Sequence, residues 1–475
     1  MMPGNNNIHS RFVSSPSCSR FLLTQSSWMK RSICAKVKKD FDAWAYNIFW
    51  PREGCNPKVQ LTVEDIKFAY NAWSLLRLAM FYNTPYPKVL SSLTNTTPSM
   101  DIVYGGNRLF HMYSATDARL SAQHKKIALT PQHEKAVSLQ DFFRNCGSRH
   151  SEEKYELVLG MENGLSSSVA AACDIQCYIP QYGSIGSLSM LSALAIATHI
   201  AASSPLKYSC PGKGHMPRSN HSHHVTDNGA KNMPHETDLL HLSNQDIKEL
   251  LKTRRDTYSL QLAVMMYNDF GDRNISAVMR NANVYNCEKM IVVNRRKFNR
   301  RGAVGTQKVL DVVYTPTVDE CTPFLDGYAV WLLYPYYPFL HVYGKDFTRA
   351  DQEDGTFLRP HDPRLLEWLS TGHVLSPRHP LCQRHPQLCD KEVFLDDEQS
   401  LLEAVGAVKS SGYRGIMLVV PEEGASTHLN VEEIAHKVLF ITHPHRLQSK
   451  VQRGLNPALS TAIAFERIRT IIDSV

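Results

Sequence analysis

Two stretches of this 475-residue sequence, one in each half, share a spaced pattern of identical residues. Residues 71–83 read NAWSLLRLAMFYN and residues 274–286 read NISAVMRNANVYN, so both follow N-x5-R-x-A-x2-Y-N. In the second stretch the apolar residues recur at three- and four-residue spacing, which is typical of a helix with a buried face. The match indicates a unit that occurs twice, each time with an arginine, Arg77 or Arg280, at the same position.

Two more matched pairs follow in the same order along the chain. LVLGME at 157–162 corresponds to LVVPEE at 418–423, and each is an apolar run that ends on a carboxylate. SLS at 187–189 and GLN at 454–456 are both followed, six residues on, by an Ala-Ile-Ala segment. Three collinear pairs predict a tandem duplication, with one copy at 60–202 and the other at 257–475.

Each copy has the alternation of elements that an α/β protein requires. Short apolar, β-rich runs at 155–159, 175–179, 260–266 and 289–293 predict strands, and 188–201 predicts a buried helix. This pattern favours a parallel sheet with helices on its faces. Ligands of such sheets bind at the carboxyl ends of the strands, where residues 160–162 and 179–184 fall.

Two segments interrupt the copies. Residues 203–256 are rich in Ser, Pro, Asn, His and Gly, which predicts an exposed linker that ends in a helix near 244–254. Its histidines 215, 221, 223 and 224 favour polar filler over a metal site. An insertion at 344–395 carries His379, Cys382, His385 and Cys389, a spacing that suits either a zinc site or an ordered surface loop. No metal is predicted among the site residues.

The charge of the chain is concentrated at its N-terminus. Residues 1–39 hold seven basic residues, eight serines and no acidic residue, a composition typical of a mitochondrial transit peptide and, as the alternative, of a basic arm that touches RNA. Removing these seven from the 52 basic residues leaves 45 against 45 acidic ones, so the net charge of +7 lies in this leader. Eleven scattered cysteines indicate free thiols in a reducing compartment such as the mitochondrial matrix. No apolar stretch predicts a membrane span.

In these motifs the chain resembles the SpoU (TrmH-like) branch of the SPOUT RNA methyltransferases. The resemblance rests on N-x5-R, on G-x-E at 160–162, on I-P-x-x-G at 179–183, and on the S-L-S or L-N segment that precedes a small-residue helix. Residues 295–306, RRKFNRRGAVGT, are similar to the stretch that follows the first motif in that family. The resemblance spans both copies, apart from the linker and the insertion.

The resemblance implies a trefoil-knotted sheet, S-adenosylmethionine bound by the knot loops, and methyl transfer to a ribose 2′-hydroxyl of rRNA or tRNA. It also implies a dimer with active sites at the subunit interface, which the two copies could supply within one chain or by pairing with another SPOUT protein. The candidate catalytic residues carried over from the family motifs are Asn71, Arg77, Glu162, Asn274, Arg280, Glu423 and Asn456. The candidate cofactor-binding residues are Gly160, Ile179, Gly183 and Leu188.

The chemistry explains why an arginine suits this reaction. A ribose hydroxyl is a poor nucleophile and a sulfonium methyl group is already activated, so the protein must mainly position the two and stabilise the oxygen as it loses its proton. An arginine stays protonated and can hold both a phosphate and a developing alkoxide. We therefore expect Arg77 or Arg280 to face the substrate.

The two copies depart from the family pattern at different places. The first has Ser189 in place of an asparagine and Trp73 in place of a glycine, but it keeps the cofactor motifs. The second keeps Asn456 but has Pro421 in place of a glycine, Thr442 in place of a proline, and HPHR at 443–446 in place of the glycine loop. These complementary differences predict one composite site, with cofactor on the first copy and Arg280 from the second.

The second copy also carries a basic loop that is the candidate RNA-binding segment. Five basic residues surround Phe298, a pattern that suits phosphate contacts with base stacking: Arg295, Arg296, Lys297, Arg300 and Arg301. The predicted partner is RNA, with rRNA favoured over tRNA, and neither DNA nor a membrane. The competing hypothesis is a catalytically inactive RNA-binding factor that acts on mitochondrial ribosome assembly intermediates.

Overall fold

The fold was analysed in a computed structural model of the chain. The structure describes residues 58–66, 69–82, 84–85, 87–91, 111–114, 120, 122–133, 135–146, 153–160, 164–184, 188–203, 239, 241–268, 274–294, 297–334, 375, 377, 380–421, 429–442 and 455–474. The predicted leader, 1–39, and most of the linker lie outside these residues.

The first half of the chain forms a parallel sheet with helices between its strands. Its elements are β1 (Val59–Glu64), α1 (Ala69–Phe81), β2 (Lys88–Ser91), β3 (His111–Ser114), β4 (Lys125–Leu129), β5 (Val137–Ser138), α2 (Leu139–Cys146), β6 (Tyr155–Leu159), α3 (Ser167–Ala171), β7 (Ile175–Tyr178) and α4 (Met190–Ala202). Helix α5 (Asn244–Arg255) follows in the linker, where the sequence predicts a helix.

The second half repeats this arrangement. Its elements are β8 (Gln261–Asn268), α6 (Asn274–Val284), β9 (Lys289–Asn294), β10 (Asp311–Thr315), α7 (Thr322–Leu325), β11 (Tyr328–Tyr334), α8 (Pro380–Arg384), β12 (Glu392–Phe394), α9 (Glu398–Ser410), β13 (Gly415–Val420), α10 (Leu429–Ile434), β14 (Lys437–Phe440) and α11 (Pro457–Ile472). The predicted strands at 155–159, 175–179, 260–266 and 289–293 agree with these bounds to within two residues.

The two sheets have the same strand order. Among the described residues the first runs β3-β2-β1-β6-β4-β7-β5 and the second β10-β9-β8-β13-β11-β14-β12, so each strand of one has its counterpart in the other. All the paired strands are parallel, as the sequence predicts, and β6 and β13 are buried along their whole length. Strands covered on both faces read as continuous apolar runs, which is why YELVL and GIMLVV stand out in the sequence. The fold is α/β, with two parallel sheets in tandem; the knot stays a prediction.

The edge strand β12 belongs to the second sheet although it lies in the stretch predicted as an insertion. Glu392–Phe394 pairs with β14, as Val137–Ser138 pairs with β7 in the first sheet. The sequence did not distinguish this strand from the preceding loop, because a strand of three residues is too short to show an alternation of apolar and polar residues.

The two halves pack through helices that cover one hydrophobic core. Helix α4 of the first half lies against α11 of the second, and α11 also packs on α6. A single cluster of buried side chains runs from Leu61 and Leu194 in the first half to Val278 and Phe465 in the second. The contact between the halves is therefore continuous with the core of each.

Charged side chains are buried in this contact. Every residue of α11 is buried, including Glu466, Arg467 and Arg469. The Arg467 Nε atom donates to the carbonyl of Leu395 at 2.8 Å, and Gln140 of the first half donates to the Glu466 carboxylate. Buried charges need such partners, so the contact between the halves is specific as well as apolar.

His199 on α4 gives this contact a pH dependence. Its Nδ1 lies 2.9 Å from the Tyr82 hydroxyl and its Nε2 3.4 Å from the Leu395 carbonyl, so the ring is neutral with the proton on Nε2. Burial and the charge of Arg467 lower the pKa of His199 to about 3. The folded chain therefore binds fewer protons here than the unfolded chain, and stability is lost as the pH falls from about 6.5 towards 3.

We expect the free energy of unfolding to drop by about 2 kcal/mol through His199 between pH 6.5 and 5. The measurement is urea unfolding at the two pH values, compared with His199→Gln, which stays neutral and can accept the Tyr82 hydrogen bond. The buried Glu466, whose pKa burial raises, is present in both proteins and cancels in the comparison. An equal pH dependence in the variant contradicts the assignment.

A search for long apolar helices, confined to the described part of the chain, finds none that could cross a membrane.

Candidate active site at the contact between the two halves

Three segments of the first half converge at the carboxyl ends of its strands. Gly160 follows β6, residues 179–184 follow β7 and are here named the cofactor loop, and Leu188 with Ser189 precedes α4. Ile179, Tyr182 and Leu188 are buried. In a parallel sheet the loops that follow the strands share one edge, so Gly160 and Ile179, two of the predicted cofactor residues, lie at the edge where such sheets commonly bind ligands.

Helix α6 of the second half lies across this edge. Ser276, Arg280 and Asn283 are spaced four and three residues apart and therefore share one face of the helix. Arg280 Nη2 donates to the carbonyl of Leu188 at 3.2 Å, and the Ser184 hydroxyl donates to Asn283 Oδ1 at 3.1 Å. This face brings the predicted arginine from one half to the predicted cofactor residues of the other.

The guanidinium group of Arg280 is half-buried at this position. Burial lowers the pKa of Arg280 from its ordinary value, but a guanidinium remains charged at neutral pH. The same cation in a partly desolvated site interacts more strongly with an anion than it does in water. The arrangement suits an anionic oxygen placed near the start of α4.

Gly183 lies in close contact with the second half. A Cβ atom on this residue would lie 1.7 Å from the Asn283 carbonyl oxygen. The amides of Tyr182 and Gly183 both donate to the carbonyl of Val284, at 2.7 and 2.9 Å. Gly183 was predicted to bind cofactor; the structure shows that its missing side chain admits the end of α6.

The segment that follows β6 leaves no room for a side chain at Gly160. A Cβ atom on Gly160 would lie 2.2 Å from the carbonyl carbon and oxygen of Gly164. The Ser166 amide just beyond donates to the buried Glu64 carboxylate at 2.7 Å. In the second half, Pro421 occupies the corresponding position after β13.

The residues that begin α4 and α11 are N-caps. Ser189 Oγ accepts from the amide of Ser192 at 3.1 Å, and Asn456 Oδ1 accepts from the amide of Leu459 at 2.9 Å. Ser and Asn are both strong N-caps, so Ser189 preserves the backbone role of the asparagine that it replaces. The remaining Nδ2 of Asn456 donates to Ser74 Oγ on α1 at 3.2 Å. Asn456 therefore contacts α1 of the first half.

The other predicted catalytic residues fall into three groups. Asn274 is buried at the start of α6, two residues before Ser276. Asn71 and Arg77 are half-buried on α1, the counterpart of α6, which contacts the second half through Ser74. Glu162 and Glu423 lie outside the described residues.

The basic loop begins at the carboxyl end of β9 and packs on α6. Ser276 donates to the carbonyl of Asn299, and Asn299 Oδ1 accepts from the amide of Arg301 at 3.1 Å. Because Ser276 precedes Arg280 by one turn, the loop lies about 6 Å along the helix axis from the candidate catalytic arginine. Lys297, Arg300 and Arg301 are exposed; Arg295 and Arg296 lie outside the described residues.

Phe298 has a different role from the base stacking that the sequence suggests. Its ring is half-buried and packs against the core, and the Arg300 guanidinium carbon lies 5.9 Å from the ring centroid. The ring anchors the loop, and the charges remain on its outer side.

The residues considered for zinc make other contacts. Within the described residues, no group of three or more His, Cys, Asp or Glu side chains is placed to hold a metal. His385 Nε2 lies 3.3 Å from the Glu432 carboxylate, which also receives Arg384 at 2.9 Å. His379 lies outside the described residues.

Sequence reasoning missed three residues that shape the site. Tyr182 and Asn283 hold the halves together at the cofactor loop, and Arg254 Nη1 on α5 donates to the carbonyl of Tyr182 at 3.4 Å. The asparagines of NANVYN, residues 281–286, could have indicated these contacts. Several of them are buried, and buried amide groups in a helix need hydrogen-bond partners from other elements.

No protein-family model matches the sequence. No curated protein matches it either. Solved structures that it resembles include a probable methyltransferase from Bordetella pertussis Tohama I, at 18% identity over 30% of this chain and 90% of that chain, with a TM-score of 0.25. The A. aeolicus TrmH/SpoU tRNA modifying enzyme matches at 15% identity over 35% of this chain and 82% of that chain, with a TM-score of 0.25. The SpoU methyltransferase AviRb from Streptomyces viridochromogenes, in complex with AdoMet, matches at 12% identity over 45% of this chain and 60% of that chain, with a TM-score of 0.25.

Proposed function

We propose that this chain is an S-adenosylmethionine-dependent RNA methyltransferase of the SpoU branch, with one composite active site. The observation that carries the proposal is the contact of Arg280, from the second half, with the Leu188 carbonyl in the first half. Arg280 and Leu188 were assigned to catalysis and cofactor binding from separate motifs. Their contact is what a site at a subunit interface requires.

The residues of the first half fit the cofactor. Among the described residues, Gln181 Oε1 in the cofactor loop is buried and has no hydrogen-bond partner, so it can accept from a bound ligand. Gly160 and Gly183 let the chain turn closely at the same edge. Residues 160, 179–183 and 188 would hold S-adenosylmethionine, which supplies an activated methyl group when it is bound. The second half lacks the equivalent of Gly160, since Pro421 stands there.

The chain's own residues then act on the RNA. Arg280 is placed to hold the ribose oxygen or the neighbouring phosphate, and its fixed charge stabilises the oxygen as the proton leaves. The basic loop contacts phosphates on either side, which orients the ribose without reading its base. Positioning and electrostatic stabilisation are the two effects that this reaction requires.

The proposed substrate is the ribose 2′-hydroxyl of mitochondrial rRNA, with tRNA as the second choice, and the proposed location is the mitochondrial matrix. The test is methyl transfer from labelled S-adenosylmethionine to organellar RNA, followed by mapping of 2′-O-methylation in cells depleted of the protein. RNA binding without cofactor binding or transfer identifies the inactive assembly factor instead. Fusion of residues 1–39 to a reporter checks the location.

The basic loop is expected to govern the salt dependence of RNA binding. Arg300→Ala and Arg301→Ala are each expected to reduce the slope of log K against log salt by about 0.7 to 0.9, because each removes one phosphate contact. The measurement is RNA affinity over a range of salt concentrations. Lys409→Ala is the control: this exposed lysine ends α9 just before β13 begins, at the opposite edge of the sheet. A change of slope in the control alone contradicts the assignment.

A further inference from the structure

Tyr182, in the cofactor loop, is bound at three points by elements that lie outside the first sheet. Its amide donates to Val284 on α6 at 2.7 Å, its carbonyl accepts from Arg254 on α5 at 3.4 Å, and its hydroxyl donates to the Asp473 carboxylate at 3.1 Å. The residue is 8% exposed. The conformation of the cofactor loop is thus set by the linker helix and the second half.

Asp473 is an unusual residue for its position. It follows the last turn of α11, where the helix dipole is negative and disfavours an acidic side chain. The Tyr182 hydroxyl compensates for this, and Arg469, one turn earlier, places its guanidinium carbon 5.7 Å from the Tyr182 ring centroid. Tyr182, Arg469 and Asp473 thus form a cluster at the end of α11.

Burial and the neighbouring Asp473 raise the pKa of Tyr182 well above its ordinary value. The hydroxyl is therefore protonated at neutral pH and donates a hydrogen bond to the Asp473 carboxylate. Such bonds are stronger than neutral ones.

We infer that Tyr182 and Asp473 are positioning residues, which hold the cofactor loop in its binding conformation by tying it to the C-terminal end of α11. The inference rests on the proposed function. It adds that cofactor affinity in the first half depends on a side chain at the far end of the chain. Neither residue touches the cofactor through this bond; both act through the backbone of residues 179–184.

The test is calorimetric titration of the full chain with S-adenosylmethionine, together with hydrogen exchange of the amides of residues 181–184 without ligand. Tyr182→Phe and Asp473→Ala, which each remove one partner of the bond, are each expected to weaken binding at least fivefold and to speed exchange of the loop amides. The double variant is expected to be no weaker than either single variant, since both remove one bond. For Asp473→Ala the turnover rate at saturating cofactor is expected to be unchanged, because Asp473 lies outside the cofactor loop.

Tyr155→Phe is the matched control. Its hydroxyl also donates to a carboxylate at 3.1 Å, that of Glu153, but at the amino end of β6, on the opposite edge of the sheet. We expect it to leave cofactor affinity and loop exchange unchanged. If the wild-type chain does not bind S-adenosylmethionine, both this inference and the proposed function fail. If it binds and Tyr182→Phe binds equally well, only this inference fails.

Discussion

Replacement of Arg280 by alanine is expected to lower the rate of methyl transfer to RNA by a factor of about 100 to 1,000, the usual cost of removing one group that stabilises a developing oxyanion. The same replacement of Arg77, at the matching position of α1, is expected to change the rate by less than about threefold, because that helix faces the half whose Gly160 counterpart is Pro421. The measurement is single-turnover methyl transfer with saturating cofactor and RNA.

The Arg280→Lys variant distinguishes the contribution of the positive charge to activity from that of the planar guanidinium shape. Lysine keeps the positive charge but cannot reach both the Leu188 carbonyl and a substrate oxygen as a planar guanidinium does. We expect it to recover only a small part of the activity, and titration with S-adenosylmethionine shows whether the cofactor segment is intact in each variant. If each variant lost only about half of the rate, the chain would have two independent active sites, and the single composite site would be overturned.

Gly183→Ala is expected to destabilise the folded chain by about 3 kcal/mol or more, at the upper end of overpacking effects. The new methyl group meets the Asn283 carbonyl at 1.7 Å, and that atom belongs to the backbone of α6, which cannot turn aside as a side chain does. Relief requires the halves to separate at the cofactor loop. Urea unfolding measures the loss, and cofactor binding is expected to disappear with it.

Gly406→Ala is the control for this prediction. Gly406 lies inside α9, where a Cβ atom meets nothing within 4 Å. Because alanine favours the helix over glycine, the variant is expected to be more stable by about 0.5 to 1 kcal/mol. A Gly183→Ala protein as stable as wild type would show that the two halves do not meet closely at this loop.

Much of the fold could be predicted because its evidence is local. The strands at 155–159 and 289–293 are apolar runs, and the helices carry three- and four-residue periods, so type and order follow from short windows. The repeated motif also predicted a feature of the site, namely that Arg77 and Arg280 lie at matching positions of two equivalent helices. The prediction of a composite site followed from this equivalence of the two helices. In the structure, α6 lies against the segment that contains Leu188.

The remaining features depend on contacts between residues far apart in sequence. Gly183 is a glycine because of Asn283, and Asp473 is acceptable at a helix end because of Tyr182, which lies 291 residues earlier. Neither pair shows any local pattern. The N-cap roles of Ser189 and Asn456 were not predicted for another reason: the family motif points to their chemistry and not to the start of a helix, and a catalytic role for Asn456 stays a prediction.

The identical strand order of the two sheets has a consequence for how such a protein can change. In an assembly of two identical chains every substitution appears on both sides of the contact, so neither site can be altered alone. Here the halves are joined, and each position varies by itself. The segment after β13 has Pro421 where the segment after β6 has Gly160, and Ser74 on α1 meets Asn456, whereas Arg280 on α6 meets the carbonyl of Leu188. Covalent linkage thus allows the two halves to differ at equivalent positions, which two copies of one chain cannot do.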